Sequence, residues 1–285
     1  VSDNLAPRFS GFRTFSQPQI LRLSGADAVA FAQAQFASDV AALADGHWHW
    51  STWLNAKGRV LATFQLLRLD PQQLLLVCHD GDVETMAGQL RGFIFRRKVT
   101  LTVDATLAVS GAFSAPEKTG NAQIAVSDDG LIELDAGTTA LPRCLRIGPA
   151  TVVATAAEEL AWRQSDLRLG LPRLIDSQRE QWTPQQLGLD RLNAYSVKKG
   201  CYPGQEIVAR THFLGKAKRA ATLLRAQSPL TAGQSVSHNG SDIGTLASTA
   251  GELALAVLPL ELSEGDLGIS GEVVTIEPLL DGLAR

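Results

Sequence analysis

Two hydrophobic periods alternate along the chain up to Gly215, and after it one of them takes over. QILRL (19–23), HWHWSTWL (47–54), RVLATFQLLRL (59–69), QLLLVC (73–78) and KVTLTV (98–103) are short, rich in aliphatic, aromatic and β-branched residues, and predict strands. Between them, Val29, Phe36, Val40 and Leu43 recur at helical spacing behind Ser24, an N-cap residue type with Asp27 three positions on, so residues 25–44 predict an amphipathic helix. Asp82 caps a second helix whose Val83, Met86, Leu90 and Ile94 share one face. The resulting order, β-α-β-β-β-α-β with a turn at Asn55–Gly58, is a split-βαβ, ferredoxin-like layout plus one strand. Short strands fill 107–154 and a helix follows at about 155–168.

Beyond Gly215 the pattern is nearly all β: RAATLLRA, QSVSHNGSDIGTLAS, LALAVLPL and EVVTIEP. His238-Asn239-Gly240-Ser241 reads as a hairpin turn, because Asn-Gly accepts the positive φ of a type I′ turn. This run predicts a small β-barrel over 215–285 after an α/β region over 1–214, itself two intertwined subdomains meeting near residue 105.

Composition narrows the class. The chain has 285 residues, 45% apolar and 19% charged, as a globular protein of two or three domains has. Its apolar runs are strand-length, too short for a bilayer, and residues 1–15 lack the apolar core of a secretory signal, so no membrane contact is expected. A net charge of −3 argues against a nucleic-acid coat protein while leaving local patches open. Three cysteines without a CxxC pair give neither a disulfide framework nor a zinc signature and fit a reducing cytoplasm.

Chemistry concentrates at Lys198-Lys199-Gly200-Cys201-Tyr202-Pro203-Gly204-Gln205-Glu206. Two glycines and a proline force a tight turn, adjacent lysines favour the thiolate, and Gly200 and Gly204 leave room for an approaching group. Cys78 and Cys144 instead sit in apolar strands and read as small buried hydrophobes. Residues 191–220 hold seven Lys/Arg and one acid, either an electropositive rim for RNA or a polyglutamate tail, or a solvated face. Arg91 to Lys98 adds four more basic residues. His47 and His49 share a strand face without further ligands nearby, and no metal site is expected. Neither a Walker A loop nor GxGxxG occurs.

KKGCYPGQEIVAR resembles the YgfZ family of folate-binding proteins, which support iron–sulfur enzymes and, through them, tRNA modification; the family is related to the glycine-cleavage T protein, an aminomethyltransferase. Its signature, Lys-Gly-Cys-Tyr/Phe-x-Gly-Gln-Glu, is matched from Lys199 through Glu206. FAQAQFASDV (31–40), LNAKGRV (54–60) and GLPRLIDSQREQWTPQQLGLDRL (170–192) are similar to further family stretches. The resemblance implies an α+β fold, with N-terminal subdomains around a central cleft for tetrahydrofolate or a folate derivative and the small barrel closing one side. It also implies Cys201 as reactive centre, with Lys199 lowering its pKa and Gln205 and Glu206 holding the loop or handling a proton. Folate contacts are expected from Trp162, Asp166, Gly200, Tyr202, Gly204, Gln205 and Arg210, and iron–sulfur proteins or their assembly factors as partners. The T protein's Arg-x-Glu-x-Gly falls at Leu167-Arg168-Leu169-Gly170, with Arg in the Glu place, leaving Asp166 to meet a pterin; the catalytic aspartate has no counterpart. Two other readings stand beside this one: a folate-dependent aminomethyl- or methyltransferase, and an RNA-binding module using 191–220.

Overall fold

A computed structural model describes residues 9–215 and 217–285. The first sheet is built from β2 (Gln19–Ser24), β3 (His47–Leu54), β4 (Val60–Asp70), β5 (Gln73–Cys78) and β6 (Thr100–Val103), in the spatial order β3-β4-β5-β2-β6. This is the expected strand sequence and the split-βαβ order with one edge strand added. Every pair in the sheet, the central β2–β5 included, runs antiparallel. Side-chain alternation explains the apolar runs. Leu74 and Leu76 pack under α1 (Ala28–Gln35) and α2 (Val83–Arg91), while Leu75 and Val77 face the second sheet, so both faces are buried.

The second sheet interleaves with the first in sequence. It takes β1 (Arg13–Thr14) from before β2, then β7 (Ala108–Ala112), β8 (Ile124–Val126), β9 (Ile132–Asp135), β10 (Cys144–Gly148) and β11 (Val152–Val153). Thr155 and Glu158 form a reciprocal capping box that starts α3 (Ala156–Arg168). An irregular stretch leads to α4 (Gln205–Phe213). The expected barrel then closes from β12 (Arg219–Arg225), β13 (Ser235–His238), β14 (Ser241–Ala250), β15 (Leu253–Pro259), β16 (Leu267–Ile269) and β17 (Glu272–Glu277). Asn239 and Gly240 both take positive φ, as the hairpin reading requires.

One element is corrected. The helix expected over 25–44 ends at Gln35: Phe36 is extended and bridges Trp53, although Phe36 and Val40 are both buried as their spacing suggested. Its cap is Asp27 rather than Ser24, and the Asp27 carboxylate accepts the Lys98 backbone N–H at 2.6 Å instead of capping the helix. Among the described residues no helix is long and apolar enough to cross a membrane.

Two histidines are buried in this frame. His49 Nε2 lies 3.0 Å from Ser38 Oγ, and His79 Nε2 lies 2.8 Å from Gln65 Oε1. Burial lowers the His49 pKa to about 4, helped by the nearby Lys199 charge, and burial holds His79 well below the ordinary imidazole value. In the unfolded chain both titrate near 6.5, so the unfolded state binds more protons between about pH 6.5 and 4, and stability present above that window is lost as pH falls through it. For His49 the loss amounts to about 3 kcal/mol. Urea denaturation at pH 7 and pH 4.5 is expected to show a smaller acid loss for His49→Gln than for the parent; equal losses would exclude the effect.

Candidate functional site

The signature loop is assembled around a buried ammonium group. Lys199 is 6% exposed, and its Nζ donates to the carbonyls of Gln33 (2.6 Å), Phe36 (2.6 Å) and Ser38 (2.8 Å). These lie at and just past the end of α1, where a helix leaves carbonyls without intrahelical partners. Burial lowers the Lys199 pKa to about 8. Three carbonyl acceptors consume its donors, so this lysine locks the loop to α1. The position shows Lys199 as an anchor of the loop, a role its expected one as activator of Cys201 did not include.

The neighbours complete the lock. Tyr202 is buried, its hydroxyl donates to the Ser196 carbonyl at 2.9 Å, and its ring lies 5.0 Å from Lys199 Nζ. Gln205 Nε2 donates to the Lys199 carbonyl at 3.0 Å. Gly204, with φ of 78°, meets the β3–β4 turn so closely that an added Cβ would lie 2.6 Å from Asn55 O and Gly58 Cα. Gly200 is different: its φ is not in the left-handed region and an added Cβ would meet nothing. Cys201, Lys198, Glu206 and Arg210 are exposed. A solvent-facing thiol thus sits beside a glycine that the fold does not require, on a base that is rigid.

The other predicted residues lie elsewhere. A cleft of about 640 Å³ opens between the two sheets, lined by the loop between β1 and β2, the loop after β5, α3 and residues 173–176 and 179. Trp162 and Asp166 reach it; Gly200, Cys201, Tyr202, Gly204, Gln205, Glu206 and Arg210 do not line it. Trp162 is 4% exposed, with the Arg143 guanidinium 4.6 Å from its ring and Phe15 at 4.9 Å, so it forms wall rather than a free stacking plate. Its Nε1 is buried without a partner. Asp166, 1% exposed, receives Arg143 Nη1 on Oδ1 at 2.6 Å and Arg173 Nε and Nη2 on Oδ2 at 3.0 and 2.7 Å. Both oxygens are engaged, which corrects its expected role as the pterin's acceptor. Arg168 leaves the cleft altogether and pairs with Glu277 of the barrel at 3.2 Å.

Sequence reasoning missed Asp80. It lines the cleft half-buried, its Oδ2 accepts the Leu174 N–H at 2.6 Å, and burial raises its pKa against the pull of Arg173 and Arg179. The signal was present: His79-Asp80-Gly81-Asp82 follows the apolar run Leu74–Cys78, and strand ends carry sites. The basic rim over 191–220 dissolves in part. Lys199 is buried, Arg191 binds Leu280 O and Asp281, and Arg219 donates to Ile243 O. Lys216 lies outside the described residues. Among the described residues no cluster of His, Cys, Asp and Glu could hold a metal ion.

No protein-family model matches the chain. In sequence it is 29% identical over 267 residues to the tRNA-modifying protein YgfZ of Aliivibrio fischeri strain MJ11, covering 86% of this chain and 84% of that protein. YgfZ of Colwellia psychrerythraea is 27% identical over 227 residues, 73% of this chain and 69% of its own. An uncharacterized Haemophilus influenzae protein is 28% identical over 221 residues, covering 76% and 74%. Among solved structures, aminomethyltransferase T of the glycine cleavage system from Bartonella henselae superposes with a TM-score of 0.76 over 98% of this chain and 88% of that one, at 18% identity. The fold is therefore that of an aminomethyltransferase T protein. Within it, the sequence kinship runs to the YgfZ proteins, as the signature implied.

The thiols separate accordingly. Burial raises Cys144 to about 12 and pushes Cys78 higher still, whereas Cys201 is exposed. Limited alkylation at pH 7.5 with peptide mapping is expected to label Cys201 first; faster labelling of either other cysteine would refute this. Thermal and urea denaturation should show Gly204→Ala losing about 2–4 kcal/mol by overpacking and backbone strain, and Gly200→Ala staying within about 0.5 kcal/mol. Lys199→Met should cost about 3 kcal/mol, because three inward-facing carbonyls lose their donor.

Proposed function

We propose that this protein binds tetrahydrofolate or a derivative in the cleft and assists assembly or repair of iron–sulfur proteins, and through them tRNA modification, with Cys201 as its reactive centre. The observation that carries the reading is the cleft itself, a pocket of ligand size in an aminomethyltransferase fold. Its residues fit the group. Phe15 and Trp162 give a flat apolar wall, and the orphaned Trp162 Nε1–H supplies an unused donor. Asp80 is the acceptor for a pteridine's amino and ring N–H groups, the part Asp166 cannot play while its two arginines hold it. Arg163 and Arg179, also in the lining, suit the carboxylates of a glutamate tail.

Bound tetrahydrofolate would carry one-carbon groups on its N5 and N10 nitrogens. The chain's own part is to orient it: Asp80 fixes the heterocycle and the arginines fix the tail. Of the other carboxylates expected at the site, Asp166 is held in ion pairs and Glu206 stands on the exposed first turn of α4. Cys201 then serves docking or thiol chemistry on a client protein, since it faces solvent rather than the cleft.

Titration with tetrahydrofolate and its 5-formyl form, followed by tryptophan fluorescence, should give saturable quenching, and Asp80→Asn should weaken binding about tenfold. Absence of binding by the parent protein would remove the reading. Cys201→Ser should bind folate as the parent does yet fail to support iron–sulfur enzymes in cells lacking the native protein; full complementation would show that the thiol is dispensable.

A further inference from the structure

The loop joining α2 to β6 carries the chain's most exposed aromatic side chain outside any described site. Phe95 is 89% exposed and Phe93 48%, while Ile94 between them packs on the core beneath the helices. Arg91, Arg96, Arg97 and Lys98 surround them, all exposed. Arg91 approaches Glu84 only at 4.0 Å, and among the described residues Arg96, Arg97 and Lys98 enter no salt bridge. In a chain of net charge −3, this is a local excess of positive charge with no acid in the segment.

The loop is held, not loose. Phe93, Ile94 and Arg97 N–H groups bond Leu90, Arg91 and Ile94 carbonyls, and Asp27 grips Lys98 through both its backbone N–H and its carboxylate. Phe95 nevertheless has φ of 48°, a left-handed conformation that is an outlier for a bulky residue. The backbone is thus strained at the position that lifts the more exposed of the loop's two phenyl rings into water, beside a shallow hollow lined by Asp27, Ala30, Phe95, Arg96 and Arg97.

From this juxtaposition we infer that residues 91–98 are a docking surface for single-stranded RNA, with Phe93 and Phe95 stacking on bases and the guanidinium groups of Arg96 and Arg97 on phosphates. Flat rings interleaved with unpaired cations match the two things a single strand offers, exposed base faces and a polyanionic backbone. A lipid surface is the poorer match. The apolar face of the adjoining α2, with Val83, Met86, Ala87 and Leu90, is already buried, so two phenyl rings are all that remain to enter a bilayer. The inference is independent of the folate cleft, whose lining shares no residue with this loop.

Fluorescence anisotropy of the full chain with a labelled uridine-rich RNA of about twelve nucleotides tests it. Binding should weaken with added salt, Phe95→Ala should reduce affinity about tenfold, and Arg96→Glu with Arg97→Glu should abolish it. Each variant should keep the parent's melting temperature and folate titration, because these side chains project from the fold. No binding by the parent, equal binding by the variants, or retention on phosphatidylserine vesicles without RNA affinity would overturn the inference.

Discussion

A single ammonium group decides how the first third of the chain meets the signature loop. Burying a lysine is unfavourable unless its charge is compensated, and here three carbonyls supply that compensation. The bargain binds both sides. Lys199 needs acceptors away from water, and the end of α1 needs donors for carbonyls that the helix no longer uses. The chain satisfies both by stopping α1 at Gln35 and turning inward through Ser38, whose hydroxyl also engages His49 and Ser51. The β3–β4 turn completes the seat by admitting Gly204 and Ile207. Three stretches far apart in sequence, 31–40, 54–60 and 198–206, thereby become one surface.

That arrangement divides labour in the molecule. The signature's interior residues are architecture, and Cys201 is what they leave outside. The cleft is a separate place, joined to the loop by the segment after α3. Its early residues, Arg173 and Leu174, touch Asp166 and Asp80, and its later ones, Glu180 and Trp182, pair with Val60 beside the β3–β4 turn. One irregular strand of chain therefore carries both the cleft's polar set and the support of the signature turn, which explains why it forms so little regular structure.

What the sequence disclosed follows from range. Strands β2 to β6, α2, α3 and the barrel were legible because their periodicity and caps are local, and so were the turns at Asn55–Gly58 and Asn239-Gly240. The overlong helix over 25–44 was a failure of the same logic. Phe36 and Val40 keep helical spacing and are buried, yet past Gln35 the chain turns extended and its Phe36 carbonyl meets a lysine more than 160 positions away. The site residues split on the same line. Exposure of Cys201 was readable from its glycine-rich turn. The partners of Asp166 and the burial of Lys199 are products of tertiary packing, and no spacing within the chain announces them, whereas Asp80 stood in view at the end of an apolar strand.

Helix α3 shows how such a hidden arrangement still obeys simple geometry. Trp162 and Asp166, four apart, stand on one face and wall the cleft. Gln164 and Arg168, offset from them by two, stand on the opposite face, where Gln164 bonds Ala250 O and Glu252 and Arg168 bonds Glu277. An arginine at 168 therefore says nothing about a pterin; it is a barrel contact, and Glu277 shares it with Arg225. The C-terminal tail ties the same parts from outside. Leu280 N–H bonds Arg168 O, Leu283 O accepts from Trp50 Nε1, and Arg285 reaches the carbonyls of Asp135 and Gly137. The barrel is thus anchored to the first sheet, the second sheet and the helix between them, so the cleft wall is set by both faces of α3 at once.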